Sequence, residues 1–358
     1  MPKICFLKFN SSHLSCKRLH FIKLSNLKAV AEHSKVSIAT VSRVINNDPK
    51  VSKDTMLKVQ ASIAALEYKP NRVAQRLRST SKKTKLLGLV IPDIQNPFFV
   101  DVVRGVEDYA YQNNFAVMIG NFGQDEKKEK LYLDILQSEN IDGLIVAPIH
   151  GKDKGVENLV KKNIPVVCID RGLTDIDVDV VKVDNEQGAF NAIDHLLSIG
   201  HKRIAYISGN FKIPTYIERL AGYKRALNDY GIPYDESLIF ARDTDYKSGF
   251  EIASKILELK ERPTAIFSGN NLLTLGALEA IHAKGIKIPE EISIIGFDDM
   301  PWSISLNPPL SAVRQPGFDM GRKAAEMLYE RILNPNSIKE KVILKTELML
   351  RKSTTRIE

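Results

Sequence analysis

Short apolar runs in the larger, C-terminal part of the chain are each followed by carboxylates, amides or aromatic rings. Asp93, Asn96, Phe98 and Phe99 follow the run 87–91, and Asn121 follows 116–119. Asp170 and Arg171 follow 166–169, Asn270 and Asn271 follow 265–267, and Asp298 and Asp299 follow 292–296; Asp184 belongs to the same set. Carboxylates and amides exchange hydrogen bonds with hydroxyl groups, and rings cover the apolar face of a sugar, so this set suits a neutral polyhydroxylated ligand. Trp302 is the only tryptophan and follows the last of these runs. Two roles are open for it, in the ligand site or between subdomains. The residues needed for catalysis are missing from the pattern. There is no GxSxG, no Walker loop, no GxGxxG after a strand and no metal-ligand cluster. His150, His195, His201 and His282 are scattered along the chain and read as surface or structural residues. No enzyme activity, cofactor or metal is expected.

The elements that must position these residues alternate in type. Apolar runs of strand length are separated by helical stretches, such as 97–113 and 127–138. That alternation predicts parallel sheets covered on both faces, one over about 86–180 and a second over about 183–305. In such doubly wound folds ligands bind beyond the carboxyl ends of the strands, where the residues named above fall.

Composition bounds the class. The 358 residues are 44% apolar and 26% charged, ordinary values for a folded protein. Cys5, Cys16 and Cys168 are too scattered for a disulfide framework or a zinc site. No run approaches the roughly 18–20 apolar residues of a membrane span, and no signal peptide is read at the start. A cytoplasmic location is expected. The net charge of +8 is unevenly spread: residues 1–85 carry 18 Lys and Arg against 4 Asp and Glu, and the remainder is mildly acidic. A basic end on an acidic body is the pattern of a chain that meets a polyanion at one end.

The basic end has a pattern of its own. Asn26 caps a predicted helix with Leu27, Val30 and Ala31 inward; Ser37 caps a second running to about Asn46, with Val41 and Val44 inward. Ser52 starts a third with the stripe Met56, Val59, Ile63 and Leu66. This is a helix-turn-helix unit, a shape shared with some protein-binding modules. In its DNA-binding form the second helix lies in the major groove. Ile38 and Ala39 then face thymine methyls, Arg43 a guanine, and Ser37, Thr40 and Ser42 the phosphates. Downstream, Pro70 opens a short basic helix or a plain basic linker. In the helical reading Asn71 approaches backbone or base, Arg72 meets phosphate, and Leu77 is an apolar wedge for the minor groove.

Residues 25–31, 36–46, 51–52 and 68–74 together resemble the DNA-binding end of the lactose/galactose repressor (LacI/GalR) family. Asn96-Pro97-Phe98-Phe99, Asp170-Arg171, Glu218-Arg219-Leu220-Ala221-Gly222 and Ile295-Gly296-Phe297-Asp298-Asp299 resemble that family's core, and the likeness spans roughly 25–355. The chain departs from it at Ala29, where Asp is usual, at Lys35, where Gly is usual in the turn, and at Asn271, where Asp is usual.

The resemblance implies a multidomain fold: an N-terminal all-α helix-turn-helix headpiece (24–69), a hinge helix and linker (70–85), and an α/β periplasmic-binding-protein-like core (86–358) of two doubly wound parallel-sheet subdomains. The first subdomain is expected over 86–182 plus 311–340, the second over 183–310 plus 341–358. Ile38, Ala39 and Arg43 would read an operator half-site, Asn46, Asn71, Arg72, Ala74 and Leu77 would complete the DNA contacts, and Phe98, Arg219 and Asp298 would line the effector cleft. Asp93, Asn96, Phe99, Asn121, Arg171, Asn271 and Trp302 are the further effector candidates. The implied function is a transcription regulator, most simply a repressor of carbohydrate uptake or catabolism genes. Its partners would be a palindromic double-stranded operator, a second copy of the chain and a sugar-like effector, with no membrane. A periplasmic-type sugar receptor shares such a core but would lack the helix-turn-helix. Residues 1–23 precede the resemblance and are read either as a disordered basic extension or as sequence annexed by an upstream start, with Leu24 the initiator; the second reading is preferred.

Overall fold

The computed structural model describes residues 26–45, 48–68 and 84–357. The chain divides into two units, residues 1–82 and 83–358. Residues 70–83 of the expected hinge 70–85, Asn46 and the segment 1–23 lie outside the described residues.

In the first unit, α1 (Leu27–Ser34), α2 (Ile38–Ile45) and α3 (Lys53–Ala65) pack on Val30, Ala31, Val41, Val44, Val59 and Tyr68. The caps are those expected. Asn26 Oδ1 accepts the Ala29 N–H at 2.9 Å, Ser37 Oγ accepts that of Thr40 at 3.0 Å, and Ser52 caps α3 through Thr55. His33 Nδ1 meets Ser62 Oγ at 3.0 Å and ties α1 to α3. Lys35, at the turn position noted above for lacking glycine, is the left-handed cap of α1 at φ 53°. The close turn into α2 requires that conformation even without glycine, at a cost of about 1 kcal/mol.

The second unit holds two lobes, each a six-stranded sheet. The first sheet has the order β11-β5-β4-β3-β1-β2, all parallel: β1 (Leu86–Ile91), β2 (Ala116–Asn121), β3 (Gly143–Val146), β4 (Val166–Ile169), β5 (Asp179–Val183) and β11 (Lys341–Leu344). The second has the order β12-β10-β9-β8-β6-β7: β6 (Ile204–Ser208), β7 (Ile239–Ala241), β8 (Ala265–Ser268), β9 (Ser293–Phe297), β10 (Ser311–Arg314) and β12 (Glu347–Met349). Only β12 runs antiparallel in it. Strands buried on both faces are continuous apolar runs, as in 144–146 and 266–267.

Eight helices cover the sheets. In the first lobe they are α4 (Pro97–Gln112), α5 (Glu126–Ser138), α6 (Lys154–Lys161) and α11 (Gly317–Leu333). In the second they are α7 (Asn185–Ser198), α8 (Pro214–Asp229), α9 (Tyr246–Ile256) and α10 (Asn271–Ala283). A buried two-pronged ion pair, Arg331 Nε and Nη2 to Asp179 at 2.9 Å each, fixes α11 to β5.

The chain crosses between lobes three times, after β5, β10 and β11. This moves two boundaries. Residues 311–314, expected in the first lobe, form β10 of the second sheet, and 341–344, expected in the second lobe, form β11 of the first. Each crossing follows the strand that was expected to come after it. An edge strand is held by pairing on one side only and carries little apolar signal, as the half-exposed Lys341–Leu344 shows.

Candidate functional site

In the first unit, α2 turns Val41 and Val44 inward, so the residues between them must face out. Ser37, Ile38, Ala39 and Arg43 are exposed, with Thr40 and Ser42 half-buried beside them. Ile38 is 45% exposed and adds apolar surface to this face. The Arg43 side chain is 63% exposed, and among the described residues its guanidinium reaches Asp48 alone, at 4.0 Å. The face thus offers a forked donor and, about a turn before it, two apolar side chains. Asn71, Arg72, Ala74 and Leu77 lie outside the described residues, as does Asn46.

In the second unit, a cavity of about 550 Å³ opens between the lobes. The parallel strands end there, which brings together side chains far apart in sequence. Asp93, Asn96, Phe98, Phe99, Asp170, Arg171, Arg219, Asn270 and Asp298 all line it. Arg219 is placed by α8, whose Gly222 lets the helix approach α7: a Cβ there would come within 2.1 Å of the Glu186 carbonyl oxygen. Its guanidinium lies 3.6 Å from the Phe297 ring centroid, and its Nε donates to Asn185 Oδ1 at 2.9 Å. Nη1 donates to the Gly269 carbonyl. Arg171 donates through Nε to the Pro148 carbonyl and sits 3.4 Å from Asp170 Oδ2; its Nη2 is buried without a partner among the described residues.

The two cleft aspartates share a backbone device. Asp170 follows β4 at φ 64° and Asp298 follows β9 at φ 75°, both left-handed. Aspartate tolerates that region better than most residues, and the turn aims each carboxylate into the cleft. Burial pushes both carboxyls above their usual range; Arg171 and Arg219 oppose this at Asp170, and Arg219 and the Gln315 side-chain amide at Asp298. The Arg171–Asp170 pair, Arg219 acting electrostatically on Asp298, the unpartnered Arg171 Nη2 and the edge-packed Phe98 and Phe99 rings can together bind a hydroxylated ring.

Three expected cleft residues are not in its wall. Asn121 Oδ1 accepts the Ile94 N–H at 3.2 Å and is spent on a loop. Asn271 is the first residue of α10, one past the cap Asn270, and turns into the interior. Trp302 lies on the 3-10 turn Pro301–Ser305, from which Met300 rather than Trp302 reaches Asn271. Asp184 caps α7, and Asp299 is held by Arg314 and Arg351. Burial raises the Asp299 carboxyl, but those two arginines more than offset it and leave it below the usual range.

The cavity also contains His150, Asn210, Tyr216, Thr244 and Gln315, which were not singled out for it. Three of them were within reach. His150, Asn210 and Gln315 come one to four residues after β3, β6 and β10, the position that identified the others. His201, read as structural, is buried between Thr264 and the Thr355 carbonyl.

Comparison with known proteins decides what carries both features. A model of bacterial regulatory proteins of the lacI family matches residues 26–71, and one of periplasmic binding proteins and the sugar binding domain of the LacI family matches residues 84–352. The chain belongs to the LacI family.

This LacI-family chain is 37% identical over 327 residues to catabolite control protein A of Priestia megaterium, over 91% of this chain and 98% of that protein. It also resembles the solved complex of the transcriptional regulator CelR with cellobiose, at 30% identity and TM-score 0.71, over 92% of this chain and 99% of that one. Its likeness to the lac repressor dimer bound to operator and the anti-inducer ONPF has 27% identity and TM-score 0.82, over 93% and 100% of the two chains. It is a DNA-binding transcriptional regulator, and the matched relatives are regulators rather than enzymes. No helix among the described residues is long and apolar enough to cross a membrane.

Proposed function

We propose that this LacI-family regulator acts in the cytoplasm as a dimer on a near-palindromic operator, with DNA binding set by a sugar or sugar derivative in the inter-lobe cleft. The observation that carries this reading is the convergence of Asp170–Arg171, Asp298–Arg219 and the Phe98 and Phe99 rings on one cavity. A second copy doubles a short half-site contact, consistent with the dimeric operator complex of the lac repressor. A ligand that binds one arrangement of the lobes better than another shifts their equilibrium, and no other coupling is required. The role of repressor of carbohydrate genes follows the same analogy.

Calorimetric titration of the full chain with cellobiose, ribose and a wider neutral-sugar panel tests the cleft, with adenine and hypoxanthine as controls. Binding of at least one sugar is expected, weakened at least tenfold by Arg219→Ala. Purine binding with no response to any sugar overturns the sugar reading.

A further inference from the structure

Asn271 does not line the cleft, yet it is 1% exposed, among the most deeply buried polar residues of the second lobe. Its side chain points across the gap. Nδ2 donates to Asn96 Oδ1, in the first lobe, at 2.7 Å, and to the Met300 sulfur at 3.4 Å. Asn96 Oδ1 is also the cap of α4, accepting the Phe98 N–H at 2.9 Å. An oxygen committed to that N–H tolerates only a donor opposite it, which fixes the orientation of the Asn271 amide. Asn271 Oδ1 is left buried without a partner among the described residues. The bond therefore joins the first turn of α4 to the first turn of α10, next to the cleft-lining Asn96, Phe98 and Asn270.

We infer that Asn271 is a positioning residue that clasps the two lobes through Asn96 and biases the chain toward the closed cleft. An aspartate in its place has no proton to give and would set a carboxylate against the Asn96 oxygen. Separating the lobes breaks the clasp. A buried hydrogen bond of ordinary net strength then shifts the closure equilibrium roughly three- to tenfold. The consequence for effector binding rests on the function proposed above: a chain already drawn toward closure loses less of the ligand's binding free energy to closing. Two further ties, Lys182 Nζ to Glu218 at 2.6 Å and the Gln315 amide to Asp298, lie beside the β5–α7 and β10–α11 crossings, where opening displaces them less.

The test is the inter-lobe distance in the full chain, by electron–electron double resonance between spin labels at Lys128→Cys and Lys247→Cys. These exposed lysines lie on α5 and α9, one in each lobe, in a background of Cys5→Ser and Cys16→Ser; Cys168 is buried. Asn271→Asp removes the donor, Asn271→Ala does so without a buried charge, and Asn96→Ser keeps a hydroxyl cap for α4 but cannot reach Asn271. Each is expected to lengthen and broaden the distance distribution, with the open population raised roughly three- to tenfold. The Asn271→Ala, Asn96→Ser double variant should go no further than the larger single change. A wild-type distribution in Asn96→Ser or Asn271→Ala overturns the clasp, and so do fully additive shifts. The readout needs neither sugar nor DNA, so its failure leaves the proposed function standing, and a failed sugar titration leaves the clasp standing.

Discussion

Arg43 is the strongest hydrogen-bond donor on the exposed face of α2, and its long contact to Asp48 leaves the guanidinium free to turn toward another acceptor. A guanidinium in the major groove pairs with the O6 and N7 of guanine. Arg43→Ala should therefore cost about 1–3 kcal/mol of discrimination at one base pair of each half-site. Competition binding against single-base operator variants checks this. An equal loss on every sequence would instead make Arg43 a phosphate contact. Ile38 and Ala39, a turn away, carry apolar contact and should set preference for the thymine methyl. At the cleft the residue-scale logic differs. Asp170 and Asp298 adopt left-handed backbone that most residues avoid, and each has a nearby guanidinium that eases its burial. Polar groups held this way are set before a ligand arrives.

At the scale of elements, α5 and α6 enclose a titratable group outside the cleft. Glu129 is 5% exposed and accepts the Ile149 N–H at 3.3 Å. Burial, and then the neighbouring Asp153, push its pKa up to about 8, against the Ile149 N–H and the Arg171 charge. A proton on Glu129 also gives the buried Asp153 Oδ2 the partner that it otherwise lacks. The folded value lies above the unfolded one, so the group's contribution is full at acid pH and is lost as pH rises toward about 8. Glu129→Gln, neutral throughout, should raise stability at pH 8 by about 1–3 kcal/mol and flatten the stability profile between about pH 5 and 8. Urea melts across that range would show it, and an unchanged slope would contradict the buried proton.

The same elements show how far the sequence could be read. Caps at Asn26, Ser37 and Ser52 were legible because each is a short polar side chain immediately before an apolar period. Central strands were legible as unbroken apolar runs. Strands Asp179–Val183, Ile239–Ala241, Ser311–Arg314, Lys341–Leu344 and Glu347–Met349 were not, since they are short strands at or beside a sheet edge. That is why the lobe crossings near 314 and 344 were misplaced. The cleft was legible wherever a strand end was recognised. Asn271 was a misreading of one position on a helix, where a step of one residue turns a side chain through about 100°.

At the scale of the molecule, a basic reader and a two-lobed sensor occupy one chain, and the account stands or falls on communication between them. The cleft lies between the two lobes, and the Asn271–Asn96 bond joins its two sides. The most direct test is the affinity of the full chain for a palindromic DNA site selected from a random library, with and without a saturating concentration of the sugar found to bind the cleft. A ligand-dependent change of at least about tenfold is expected, within the usual span of allosteric coupling. Arg219→Ala is expected to abolish the change at the same sugar concentration and to leave the ligand-free affinity intact. An affinity for DNA that stays the same with the cleft fully occupied would contradict this coupling.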